Sequence, residues 1–65
     1  MLDVNDVYIL EVMNGIFMAD NKLIEGFPKN TTKSIFNACV FGYYEAKALV
    51  EKMSFVPIWK NIKEI

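Results

Sequence analysis

Histidine is absent from this 65-residue chain, arginine does not occur, and cysteine occurs once, at Cys39. A single thiol can form no internal disulfide. Without histidine, a structural zinc site lacks its usual ligands. Serine and cysteine nucleophiles normally work beside a base, most often histidine, so nucleophilic catalysis is not expected. The sequence holds neither a phosphate-cradling glycine loop nor a cluster of metal ligands. Asp3, Asp6 and Glu11 are carboxylates close in sequence, but nothing around them suggests an enclosing pocket, and they read as solvated charge. The expectation is therefore no enzyme, no catalytic residue, no metal and no cofactor.

Two further absences concern location. No apolar run approaches the ~20 residues needed to cross a bilayer. The first residues lack a basic stretch followed by an apolar core, so no secretory leader is expected. Together with an unpaired thiol, this predicts a cytoplasmic protein. Excess charge is missing as well: 7 basic and 8 acidic side chains leave a net charge of -1. Such a balance argues against simple electrostatic binding to phosphate backbones or anionic lipid.

What the chain has in quantity is apolar side chains, 54% by count. Ordinary domains hold roughly 45–50% on a similar count. A chain of this length makes one domain, residues 1–65, and hides only about 60% of the surface its unfolded form exposes. Small domains commonly gain stability from disulfides, metals or a partner subunit. With the first two unavailable to this composition, the apolar surplus predicts a second buried surface: a homodimer interface or a site for a protein partner.

Asn14-Gly15 is a strong hairpin signal, because a type I′ turn needs positive φ at both central residues. Strand formers flank it over residues 7–13 and 16–19. A two-residue turn in regular register sets Met13 against Ile16, Val12 against Phe17 and Leu10 against Ala19. One face then carries Tyr8, Leu10, Val12, Phe17 and Ala19. The other carries Val7, Ile9, Met13, Ile16 and Met18, interrupted by Glu11. Both faces are apolar, the pattern of a sheet covered twice.

Residues 21–32 are dense in turn formers, with Thr31 or Thr32 placed to cap a short helical turn through Phe36. "ACVF", residues 38–41, predicts a brief strand before Gly42. Over residues 43–53, Ala46, Leu49, Val50 and Met53 recur at helical spacing and form one apolar stripe. A longer helix over 34–53 is the competing reading, and it would have to absorb Gly42. "SFVPIW", residues 54–59, predicts a last strand, at a sheet edge because Pro57 cannot donate to a ladder. The fold class is α+β: a small, mostly antiparallel sheet, built from an N-terminal hairpin and later short strands, with one main helix in the order ββ-β-α-β. A helix of about 16 Å covers one face of such a sheet and not both. Which face it covers stays open at this point.

"TKSIFNACVFGYYEAKALVEKMSFVPI" has the spacing Thr32-x5-Ala38-x2-Phe41-x4-Ala46, followed by Val50 and a closing apolar strand. With the upstream "NGIFMAD…GF", it resembles a loose group of very short, mostly uncharacterised bacteriophage and prophage proteins. Those combine a hairpin holding "G-[KR]-[YF]-L", then "A-x-x-F", then a helix with "E-A". Gly15, Phe17, Phe27, Ala38, Phe41, Glu45 and Ala46 stand at the matching places. Ile16 departs from the pattern, which favours a basic residue there. The resemblance implies a phage accessory role exercised by binding a host or phage protein.

The expected interface comprises Ile9, Met13, Ile16 and Met18 on the uncovered face, buried by stacking two protomers. Tyr44 and Trp59 join them, as exposed aromatics of the type enriched in binding hot spots. The alternative is a small nucleic-acid-binding accessory factor in which Tyr8, Phe17 and Trp59 stack bases beside Lys22 and Lys60. The acidic balance and the scatter of the lysines count against it, and nucleic acid is not the expected partner.

Overall fold

The computed structural model describes residues 2–65. In chain order the strands are β1 (Val7–Met13), β2 (Ile16–Met18), β3 (Leu23–Ile24), β4 (Phe27–Pro28), β5 (Thr31–Thr32), β6 (Phe41–Gly42) and β7 (Ile58–Asn61). One α-helix, α1 (Tyr43–Val50), precedes β7, and 3-10 turns occupy Ile35–Asn37 and Ile62–Glu64. The architecture is a small antiparallel sheet with a single α-helix, an α+β fold.

β1, rich in β-branched and aromatic residues, is the central strand. Tyr8 pairs with both Asn61 and Phe41, and Glu11 with both Ile58 and Phe17. A strand has two edges, so β7 runs along one while β6 and β2 share the other, end to end. β5 extends the sheet beyond β2. β3 and β4 form a separate two-stranded hairpin.

The N-terminal hairpin forms about Asn14-Gly15 with Met13 opposite Ile16, as expected. Its next pair is not. Glu11, rather than Val12, stands opposite Phe17, so Val12 is an extra residue and β1 is bulged. The Glu11 carboxylate accepts the Gly15 N–H at 2.8 Å, which ties the turn back to the strand at the bulge. Directly paired residues share a face, so the bulge decides sidedness. Tyr8, Leu10, Phe41 and Trp59 lie on one face; Ile9, Glu11, Phe17, Ile58 and Lys60 lie on the other. Ile16 and Met18 flank Phe17 and therefore fall on the Leu10 face, and Met13 joins them. Regular alternation grouped Met13, Ile16 and Met18 with Ile9. The structure separates them from it.

α1 covers the Leu10 face. Leu10, Met18, Phe41 and Ala46 form the buried core, with Leu49, Val50 and Met53 of the helical stripe packed against it alongside Val12, Leu23, Cys39 and Trp59. Gly42 is the N-cap of the helix, and the Glu45 side chain accepts its N–H at 3.0 Å. That bond satisfies a terminal donor and sets an acidic group at the positive end of the helix. Regular α-helix stops at Val50, and i+3 turns carry the chain on to Met53.

The second face is covered only in part, for Ile58 on it is 62% exposed. Ile9 is wholly buried and Phe17 nearly so. Lys60 lies directly opposite Ile9 and its Nζ reaches Glu11 Oε1 at 3.6 Å.

Other boundaries move for local reasons. Residues 38–40 are not a strand; only the Cys39 N–H reaches the sheet, donating to Met18 O at 2.9 Å, and β6 begins at Phe41. The last strand starts after Pro57, which lacks an N–H, and ends at Asn61. Thr31 and Thr32 pair with β2 instead of entering a helix. Thr32 nonetheless accepts the Ser34 N–H at 3.1 Å and leads into a 3-10 turn.

Candidate functional site

An apolar cleft of about 400 Å³ opens at the bulged end of the sheet. Its floor is Val12, Met13 and Ile16, one side is Thr31 of β5, and the walls are Phe27 and Pro28 of β4 and Phe55. The Phe27 and Phe55 rings stack at 5.8 Å, 19° from parallel. Met13 is 67% exposed and Phe27 55%, so both remain open to a visitor. Dimensions explain the opening. Seven residues of β1 extend about 23 Å. Eight residues of α1 extend only about 12 Å. The helix therefore cannot roof the whole strand, and the far end falls to the β3–β4 hairpin.

That hairpin is clamped at both ends. At its base, Asp20 accepts the Lys22 N–H at 2.9 Å and the Asn30 amide at 2.6 Å. These two donors hold the Asp20 carboxyl below the usual carboxylate range. At its tip, Glu25 (φ 51°) and Gly26 (φ 84°) both adopt left-handed backbone, as a type I′ turn demands. The Ser54 N–H donates to Gly26 O at 2.9 Å, and its hydroxyl donates to Glu25 O at 3.3 Å. A left-handed conformation costs a non-glycine residue about 1–2 kcal/mol. Contacts from Ser54 and the base clamp hold Glu25 there. The Phe27 wall is thus fixed before anything binds.

The six residues expected at the interface are dispersed. Met13 and Ile16 line the cleft. Ile9 and Met18 are wholly buried inside the protomer, on opposite faces of the sheet, and present nothing to a partner. The stacked-face dimer expected through them is corrected accordingly: the protomer's own side chains already cover both positions. Tyr44 is 67% exposed on α1. Trp59 is half-buried and meets it through Tyr43, with centroids 5.6 Å from Trp59 to Tyr43 and 5.0 Å from Tyr43 to Tyr44. Tyr8 abuts the same indole edge-on at 5.5 Å. This aromatic row is separate from the cleft.

Phe27, Pro28 and Phe55 escaped the sequence reading because the cleft is built from non-local contacts. A faint signal existed: Glu25-Gly26 sits between the apolar pairs Leu23-Ile24 and Phe27-Pro28. Glutamate is not the usual first residue of such a turn, which masks the hairpin.

Elsewhere the chain termini are latched together. Asp6 accepts the Asn61 amide at 2.7 Å and pairs with Lys63 Nζ at 2.7 Å. The Lys63 and Asn61 bonds lower the Asp6 carboxyl from its ordinary value, and Asp6 in turn raises Lys63. Tyr8 accepts the Asp3 N–H at 2.6 Å and donates to the Asp3 carbonyl at 2.8 Å. Burial pushes the Cys39 thiol up, away from thiolate chemistry. Among the described residues, no group of three or more His, Cys, Asp or Glu side chains is placed to hold a metal ion. Also among them, no helix is long and apolar enough to cross a membrane.

Comparison of the chain with protein-family models, with curated proteins and with solved structures finds no match in any of the three.

Proposed function

We propose that this protein is a non-enzymatic protein–protein interaction module whose working surface is the apolar cleft at the bulged end of the sheet. One observation carries the reading: an open volume of about 400 Å³, walled by stacked Phe27 and Phe55 and floored by Met13 and Ile16. Ligand-binding hollows are typically of this size or larger and mostly apolar. A frame fixed in advance binds without the entropy cost of ordering a loop. The expected ligand is an apolar side chain of a protein partner. The resemblance of the hairpin and helix to short phage and prophage proteins suggests an accessory role in the bacterial cytoplasm, binding and modulating a host or phage protein. Binding of nucleic acid draws less support: of the two lysines it would use, Lys60 is paired with Glu11, and the net charge is -1.

Affinity capture from bacterial lysate tests this reading when three baits are run in parallel. The wild-type chain should retain a stoichiometric protein, Met13→Asp should lose it, and Tyr44→Ser should keep it. Retention by Met13→Asp with loss by Tyr44→Ser would transfer the role to the aromatic row and sink the cleft.

A further inference from the structure

The turn of the N-terminal hairpin brings a reactive pair together. Asn14 is the one asparagine of six that precedes a glycine; the others precede Asp6, Lys22, Thr31, Ala38 and Ile62. The side-chain Cγ of an asparagine is open to attack by the main-chain nitrogen of the residue after it, and a Cβ on that residue obstructs the approach. Gly15 has no Cβ. Asn14 and Gly15 are both exposed, and a Cβ built on Gly15 would meet nothing within 4 Å, so water and hydroxide reach the turn. Asn30 and Asn61, by contrast, have their amides bonded to Asp20 and Asp6.

The attacking nitrogen is restrained. Its N–H is donated to Glu11 Oε2 at 2.8 Å, and Glu11 is almost buried and paired with Lys60. Attack requires that this nitrogen first lose its proton. A bond that stabilises the N–H, accepted by a group already negative, disfavours the nitrogen anion on both counts. We propose that Asn14 is a site of spontaneous deamidation and that Glu11 is the brake on it. Hydroxide takes the Gly15 proton, the nitrogen bonds to Asn14 Cγ, and the Cγ–Nδ2 bond breaks. Nδ2 leaves as ammonia with a proton from water, which regenerates the hydroxide and leaves a cyclic imide. Water then opens the ring. Cleavage at Cγ gives aspartate, whereas cleavage at the main-chain carbonyl gives isoaspartate, in which the chain runs through Cβ and Cγ. The sum is one water taken up and one ammonia released. Isoaspartate adds an atom to the main chain between Met13 and Ile16, the pair that closes the hairpin. Both residues also floor the cleft, so the product carries an altered floor.

Incubating the purified full chain in warm, mildly alkaline buffer tests the proposal, with peptide mapping by mass spectrometry to locate and time each conversion. Circular dichroism confirms that each variant is folded. In the wild type, Asn14 should convert before any other asparagine. Gly15→Ala sets a Cβ beside the attacking nitrogen and should slow the conversion. Glu11→Gln keeps an acceptor for the Gly15 N–H but removes its charge. Asn14 should then convert about tenfold faster, the gain in nitrogen anion that one pKa unit makes. Lys60→Gln strips Glu11 of its counter-charge and should have the opposite effect, slowing the conversion about threefold because Lys60 is partly exposed. Simple loosening of the hairpin would speed both variants, so opposite signs identify the charge, and Lys60→Gln stands alone if Glu11→Gln fails to fold. An Asn14 that converts no sooner than another asparagine, or not at all, overturns the site. A folded Glu11→Gln protein that converts at the wild-type rate overturns the brake, as does a Lys60→Gln protein that converts no more slowly than wild type.

Discussion

The two ends of β1 are made of similar residues and meet different fates. At the N-terminal end, Leu10, Phe41 and Ala46 are sealed under α1 with Met18. At the C-terminal end, Met13, Ile16 and Phe27 surround open space. Composition does not separate these ends, since both are aliphatic and aromatic. Length does, because a helix of about 12 Å cannot cover a strand of about 23 Å. The roofed end supplies stability. The other end is left open beside a clamped hairpin.

The largest effect should come from emptying the roofed end. Leu10→Ala removes a wholly buried side chain, and such truncations cost about 2–5 kcal/mol. A core of this size supplies only about 3–5 kcal/mol in all, so the variant should be largely unfolded by circular dichroism at 25 °C. Met13→Ala, at a 67% exposed position, should unfold within about 0.5 kcal/mol of wild type. Equal losses at the two sites would break the division.

The glycines test whether the open end is clamped. Gly15 and Gly26 have nearly the same φ, 77° and 84°. A Cβ on Gly15 would meet nothing within 4 Å, whereas one on Gly26 would fall 3.0 Å from Ser54 N and against the Ser54 side chain. Gly15→Ala should cost only the left-handed strain, about 1 kcal/mol. Gly26→Ala should cost that plus displacement of Ser54, about 2–3 kcal/mol by chemical denaturation. It should also loosen the cleft wall. Identical costs would mean that Ser54 holds nothing.

Glu11 joins the two ends. Its side chain accepts the Gly15 N–H and meets Lys60 while almost buried. Glu11→Leu leaves the Gly15 donor without its acceptor and should cost about 1–2 kcal/mol. Loss of the pinned bulge should then show as changed amide shifts in residues 11–17. Glu11→Gln keeps the acceptor and should cost less.

The smallest effect belongs to the latch between the termini, remote from the cleft. The Asp6 carboxyl is lowered by Lys63 and Asn61, so its contribution is complete above the ordinary carboxylate value near 3.8 and is lost as pH falls through the depressed one. Lys63 is raised by Asp6, so its share is complete below about 10.5 and fades as pH rises through the raised value. Thermal melts of Asp6→Asn against wild type should differ at neutral pH and converge in acid. Curves that stay parallel across the acid range would show that the latch contributes nothing.

Much of this was legible in the chain. Asn14-Gly15 demands a hairpin because its turn demands positive φ, and Ala46, Leu49, Val50 and Met53 demand a helix because their spacing makes a stripe. Each signal lies within a few residues and needs no knowledge of the rest. From them follow the α+β class and the identity of the helix's buried side. The bulge at Val12 was not legible, although it alone moved Met13, Ile16 and Met18 to the Leu10 face. Nor was the complete burial of Ile9, or the Ser54 clamp on Gly26. Those depend on contacts between residues that are distant in sequence, and a contact of that kind exists only once the chain has closed. Local periodicity specifies which side chains seek burial, while the relative lengths of strand and helix, set in three dimensions, decide which of them remain unroofed.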